Sequence, residues 1–187
     1  TVKKVPLTEF ERQRSNGKIA LDLVEGDHLI GVDLTDGIRD IMLMADSGKA
    51  IRFSENDVRA TGRTAKGVRG IKLSADQKCI KLIIIDEKAT ILTATRNGYG
   101  QRTSVNDYRS IGRGGQGVRA IIVNDRNGKV VSAAQVFEQD DVLMITSGGT
   151  MVRTAINEIS LVGRNTKGVR LLNLTKGEKL VCVEPIP

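Results

Sequence analysis

Aromatic side chains make up only 3% of this 187-residue sequence, with three Phe, two Tyr and no Trp. The interior must therefore be aliphatic. The same scarcity weighs against RNA-binding modules that stack bases on Phe, Tyr or Trp. Cys79 and Cys182 are the two thiols and stand far apart, which disfavours a disulfide scaffold or a thiolate metal cluster. His28 is the single histidine. A His-centred metal site or a Ser-His-Asp triad would rest on it alone, so an ordinary surface or turn position is expected. No apolar run approaches the ~18 residues of a membrane helix, and nothing at the N-terminus resembles a signal peptide. No membrane partner is expected, and free thiols without an export signal point to the cytoplasm. The chain opens at Thr1, directly in the strand-like Thr1-Val2-Lys3-Lys4-Val5, as a piece of a longer chain would.

What the sequence does contain is a repeat. Gly62-Arg63-Thr64-Ala65-Lys66-Gly67-Val68-Arg69 returns as Gly112-Arg113-Gly114-Gly115-Gln116-Gly117-Val118-Arg119, and again as Gly163-Arg164-Asn165-Thr166-Lys167-Gly168-Val169-Arg170. The pattern is G-R-x-x-x-G-V-R. A degenerate copy lies one period earlier, where Lys18 and Ile19 follow Gly17 in place of Val and Arg. Outside the motif, Arg52, Arg102 and Arg153 align with Lys4, and Asp57, Asp107 and Glu158 align with Glu9. Four units of about 50 residues are expected, over 1–35, 36–85, 86–136 and 137–187, the first lacking its opening strand.

Each unit reads as β. Ile41 to Asp46, the turn Ser47-Gly48 and Lys49 to Phe53 form a strand–turn–strand pattern. Ile91 to Thr95 turning at Asn97-Gly98, and Val142 to Ile145 turning at Gly148-Gly149, are its counterparts. After the basic loop, alternation predicts a strand at Ile71-Lys72-Leu73, at Ile121-Ile122-Val123 and at Leu172-Asn173-Leu174. A last apolar strand covers Cys79 to Ile85, Val130 to Val136 and Leu180 to Val183. The expected fold is all-β, with four short strands per unit as in a propeller blade and almost no helix.

The net charge of +7 is unevenly placed. Three acid-free windows hold Arg59, Arg63, Lys66 and Arg69; Arg109, Arg113 and Arg119; and Arg164, Lys167 and Arg170. These ten charges exceed the net charge, so the remainder is slightly acidic. Equivalent loops of stacked units fall on one rim, which predicts a basic stripe. Arginine forks suit phosphate oxygens, and the motif glycines let backbone approach them. The implied partner is double-stranded DNA, held through its backbone and bent along the rim. A second reading pairs these arginines with Asp57, Asp107 and Glu158, as common surface ion pairs. Arg52, Arg102 and Arg153 lie within strands and can instead lie over a neighbouring blade. Tyr99 and Tyr108 read as packing residues. No catalytic residue is expected.

The G-R-x-x-x-G-V-R loops, Asn97-Gly98-Tyr99-Gly100 and the opening Thr1-Val2-Lys3-Lys4 with Leu7-Thr8-Glu9-Phe10 resemble the C-terminal domain of the A subunit of bacterial DNA gyrase, a type IIA topoisomerase. The resemblance covers essentially the whole chain, and the run Val162 to Val169 is specific to that family. It implies a six-bladed β-pinwheel, a propeller-like ring with strands exchanged between blades, of which this chain supplies about the last four. It also implies a non-catalytic domain that wraps DNA on its basic rim and supports negative supercoiling. Its partners would be duplex DNA, the rest of the gyrase A subunit, and the gyrase B subunit in a heterotetramer associated with the nucleoid. The piece itself would hold no cofactor or metal, whereas the holoenzyme uses ATP and magnesium. One departure stands out. The family's box Gln-Arg-Arg-Gly-Gly-Lys-Gly is absent, and Arg113-Gly114-Gly115-Gln116-Gly117 is its nearest match. The alternatives are the related domain of topoisomerase IV and a propeller that serves as a protein-interaction scaffold.

Overall fold

A strand buried on both faces reads as a continuous apolar run rather than an alternating one. Ile41-Met42-Leu43-Met44-Ala45 is such a run. In the computed structural model, which describes residues 1–187, it lies in β1 (Asp40–Ala45), buried from Ile41 onward. The turn at Ser47-Gly48 returns the chain as β2 (Lys49–Ser54), and β3 (Cys79–Ile84) pairs with the other side of β1. The next unit repeats this with β4 (Thr90–Thr95), β5 (Tyr99–Ser104), the short β6 (Val118–Arg119) and β7 (Val130–Val136). The last unit holds β8 (Asp141–Thr146), β9 (Met151–Ala155), the short β10 (Val169–Arg170) and β11 (Leu180–Ile186). All pairings within the sheets are antiparallel.

There is no α-helix. Four single 3-10 turns, at Leu7–Phe10, Glu55–Asp57, Val105–Asp107 and Ile156–Glu158, stand at repeat-equivalent places. Ser54 and Ser104 start two of them by accepting the amides of Asn56 and Asn106 on their hydroxyls.

The sheets exchange strands between units. Their orders are β3-β1-β2-β6, β7-β4-β5-β10 and β11-β8-β9. The outermost strand of each four-stranded sheet is thus the Val-Arg pair of the following unit. Val118 pairs with Ala50 and Arg119 with Lys49, while Val169 pairs with Gly100 and Arg170 with Tyr99. In the first unit Val68 bridges Val2 by the same rule. Two expectations need correction here. First, not every blade has four strands: the last sheet has three, and residues 11–39 form none. Second, the strands predicted at Ile71–Leu73, Ile121–Val123 and Leu172–Leu174 do not form. The ladder sits earlier, on Gly-Val-Arg itself. There the carbonyl of Gly48 accepts the amides of both Ala120 and Ile121, and that of Gly98 accepts both Leu171 and Leu172. The shared acceptor ends the ladder. The alternation beyond it arises because Ile71, Ile121 and Leu172 turn into the core.

Two of the three core clusters bridge neighbouring units. One cluster joins Met42, Met44 and Ile83 to Ile91, Tyr108 and Ile121. A second joins Leu92 and Val136 to Met144, Ile156 and Leu180. The third lies within the second unit, gathering Ile41, Phe53 and Ile71 with Val68, and takes in Val2 of the first unit's edge. Each unit is therefore stable only through its neighbours. The strands β3, β7 and β11 lie beside one another on one side. The exchanged Val-Arg strands and the basic loops occupy the opposite, outer edge.

Candidate nucleic-acid interface

The three basic loops follow the 3-10 turns and run along the outer edge of the preceding sheet. Parallel bridges pin their starts, Lys4 to Ala60, Arg52 to Ser110 and Arg102 to Leu161. Matching main-chain bonds run from Thr61 to the carbonyl of Lys4, from Ile111 to Arg52 and from Val162 to Arg102, each at 2.9 Å. Equivalent loops thus sit at equivalent heights on successive units.

Of the ten predicted site residues, Arg59, Lys66, Arg69, Arg109, Arg113, Arg119, Lys167 and Arg170 are exposed, and Arg63 and Arg164 are half-buried. None of the ten lies within salt-bridge distance of a carboxylate; the molecule's ion pairs all involve other basic residues. Asp57 and Asp107 meet the following loop through their carbonyls and not their acids.

The structure also separates the ten into two groups. Arg113 donates from Nε to Asp57 O at 2.8 Å and from Nη1 to Arg69 O at 3.1 Å. Arg164 repeats this on the next pair of units, to Asp107 O and Arg119 O, both at 2.8 Å. Arg63 donates from Nη1 to Ile19 O at 2.6 Å, and its Nε is buried without a partner. These three arginines clamp successive loops together and leave only part of each fork to solvent. The remaining seven carry the free charge. Among these, Arg119 has a long contact to Asn165 Oδ1 at 3.4 Å, while Arg170 bonds Asn173 and the Tyr99 hydroxyl.

The glycines divide similarly. At the first motif position, Gly62, Gly112 and Gly163 have nothing within 4 Å of where a Cβ would stand. At the second, Gly117 has φ +74°, and a Cβ there would lie 2.2 Å from Ala50 O. Gly67 and Gly168 abut Val2 O and Gly100 O in the same way. The second glycine serves strand exchange; only the first is open to a ligand. Gly117→Ala is expected to cost about 2 kcal/mol or more through the left-handed backbone and the clash together. Gly112→Ala, at φ +80° but in open space, should cost only about 1 kcal/mol. Denaturant unfolding of the two variants checks the difference.

Some basic residues on this edge escape sequence reasoning. Arg126 lies with its Cζ 4.6 Å from the Tyr99 ring centroid, and Arg170 stands 5.2 Å from the same ring. The guanidinium of Arg126, and then that of Arg170, pull the Tyr99 hydroxyl below its usual pKa. Lys49 and Lys72 line a small polar hollow with Ser74, Gln77 and Gln116, where Lys49 Nζ donates to Gln116 Oε1 at 2.9 Å. In the sequence Arg126 follows Asp125 and Lys72 lies near Asp76, so charge windows pass over them. Their position beside the loops is set by the exchanged edge.

Arg52, Arg102 and Arg153 belong elsewhere. Arg52 and Arg102 are buried against the following unit. Arg52 pairs with Asp40 at 2.7 Å and with Glu87, and donates to Val105 O and Tyr108 O, both at 3.2 Å. Arg102 pairs with Glu138 and donates to Ile159 O at 2.8 Å. Arg153 pairs with Asp141 and is exposed. Tyr99 and Tyr108 are buried, as packing residues, and His28 is exposed. No helix is long and apolar enough to cross a membrane.

Comparison with known proteins agrees with this geometry. The family model described as "DNA gyrase C-terminal domain, beta-propeller" matches four times, over residues 1–36, 39–86, 89–136 and 140–187. The A subunit of DNA gyrase from Klebsiella oxytoca is 52% identical over 186 residues, which is all of this chain and 21% of that protein. The chain thus spans about a fifth of the length of that relative. A solved DNA gyrase A C-terminal domain superposes with a TM-score of 0.83 at 26% identity, over 92% of this chain and 59% of that one. The C-terminal domain of DNA topoisomerase IV has the same fold, with a TM-score of 0.91 at 22% identity over 98% of this chain and 58% of that one. With four matched repeats, exchanged strands and a sequence half identical to gyrase relatives, this chain belongs to the family of DNA gyrase A C-terminal domains.

Proposed function

We propose that this chain binds duplex DNA through its outer edge and bends it there, as the wrapping part of a gyrase that introduces negative supercoils. The observation that carries the reading is charge without compensation. Ten basic side chains stand on three equivalent loops at one edge, and none meets a carboxylate. Unpaired charges in so regular a row match a phosphate array, whose counterions they release. The contacts are to backbone, because a row of Arg and Lys tips on loops presents no helix or ribbon to a groove. Three successive units rotate this edge, so a duplex that follows all three loops must curve. Bending costs a few kcal/mol, repaid by the added phosphate contacts. Chemistry on the DNA, with its ATP and magnesium, belongs in this reading to the rest of the gyrase complex of A and B subunits, in the cytoplasm with the nucleoid.

A salt-resolved titration of the 187-residue chain against duplex DNA, joined to ligation of nicked circles in its presence, tests both halves. Binding should be independent of sequence and fall steeply with salt. A shift in linking number on ligation would show wrapping. Binding without such a shift would reduce the role to attachment, and no binding at low salt would sink the proposal.

A further inference from the structure

The third unit carries an arrangement that its neighbours lack. Where the exchanged strand β10 meets β5, Arg170 pairs with Tyr99. Its Nη2 donates to the Tyr99 hydroxyl at 2.7 Å and its Nη1 to Asn173 Oδ1 at 3.3 Å. Nε and one N–H on each terminal nitrogen are left for a ligand. Arg126 approaches the same ring, so two guanidinium carbons lie 4.6 and 5.2 Å from one centroid, both on exposed residues. Neither arginine forms an ion pair, and Asp125, beside Arg126 in the chain, pairs with neither. Two like charges gathered at one ring repel each other, and a shared anion relieves that cost.

The main chain fixes Arg126 in this place. Turn 124–128 is closed by Gly128 N to Asn124 O at 2.8 Å and by reciprocal amide-to-side-chain bonds between Asn124 and Asn127. Asn97 Nδ2 donates to Arg126 O at 3.0 Å, and Asn127 Nδ2 to Lys167 O at 3.2 Å. The turn is thus tied to the β4–β5 hairpin on one side and to the third basic loop on the other. The corresponding turn of the second unit, closed by Ser74 and Gln77, has Asp76 in the place of Arg126 and Lys49 in that of Tyr99. In the last unit these positions are Gly177 and Thr150.

We infer that Arg126 and Arg170, held at Tyr99, form a clamp that takes one phosphodiester of the duplex backbone more tightly than any single loop arginine does. The clamp rests on the outer-edge reading above. Arg126 presents its planar fork and Arg170 its remaining donors, and a fork matches phosphate oxygens two at a time. Tyr99 and Asn173 are positioning residues, which set the plane of Arg170 before DNA arrives. The basic edge is therefore uneven: the duplex is anchored between the third and fourth units and follows the rest of the edge from there.

Duplex titrations of the 187-residue chain and its single variants test the clamp. Arg126→Gln should raise the dissociation constant roughly tenfold and flatten the salt slope by about 1, whereas Arg59→Gln, without such a pair, should raise it less than about threefold. Arg126→Lys should restore the slope but only part of the affinity, since an ammonium lacks the fork. Tyr99→Phe keeps the ring and every charge but releases Arg170. It should weaken binding about threefold, with the salt slope and the unfolding midpoint unchanged. Arg126→Gln no weaker than Arg59→Gln, or Tyr99→Phe at the affinity of the unaltered chain, would overturn the clamp and leave DNA binding by the edge intact. Failure of the unaltered chain to bind duplex at low salt would sink the outer-edge reading, and the clamp with it.

Discussion

Replacing Arg52 by Ala is expected to destabilise the chain by about 3–5 kcal/mol, and Arg102→Ala by a comparable amount. Arg153→Ala should cost less than about 1 kcal/mol. The three residues occupy the same place in the repeat, so propensity and strand register are alike; what differs is the next unit. Arg52 is 8% exposed and Arg102 4%, and their forks satisfy main-chain carbonyls of the turn that follows. Truncation leaves those carbonyls unpaired, opens a cavity between units and strips Asp40 of its buried partner. Arg153 has water on that side, and its bond to Asp141 is an ordinary surface pair. Denaturant titrations of the three variants make the comparison. Equal costs at all three sites would refute the assignment of Arg52 and Arg102 as bolts between units.

Neutralising Arg59, Lys66, Arg69, Arg109, Arg119 and Lys167 together to Gln should weaken duplex binding roughly 100-fold or more. It should also flatten the slope of log K against log salt by about 5, at roughly 0.9 for each phosphate no longer neutralised. All six are exposed and outside any ion pair, so the fold should survive. The loss should be the same for every DNA sequence. Neutralising Lys78, Lys88 and Lys176, which lie outside the three loops, should move the slope by less than about 1. Arg63, Arg113 and Arg164 are poor choices despite opening each motif. Nη1 of Arg63, and Nε and Nη1 of Arg113 and Arg164, hold the loops of adjacent units together, so their removal would mix instability with weaker binding. A slope unchanged by the sixfold variant would remove the loops from the interface.

The repeat was legible because its signals are local. Glycines at turns, apolar runs in doubly buried strands and acid-free loops each follow from a few neighbouring residues. Ile41 to Ala45 and Ile91 to Thr95 read as buried strands and are such. The position of the outer strand was not legible. Val118-Arg119 carries no more β signal than Ile121-Ile122-Val123, and only the carbonyl row of β2 decides which of them joins a ladder. The split among the loop arginines was hidden for the same reason. Arg113 and Arg109 look alike until the carbonyls of Asp57 and Arg69, 56 and 44 residues away, come within reach of one of them.

By itself, then, the sequence determined the all-β units, their number and period, the aliphatic core and the concentration of positive charge in three loops. These depend on side-chain pattern within one unit. The tertiary structure alone decided which strand caps which sheet, and which arginines are bolts and which are free. Those outcomes turn on hydrogen-bonding groups of the main chain, which every residue type carries alike, and on the presence or absence of a neighbouring unit to meet them.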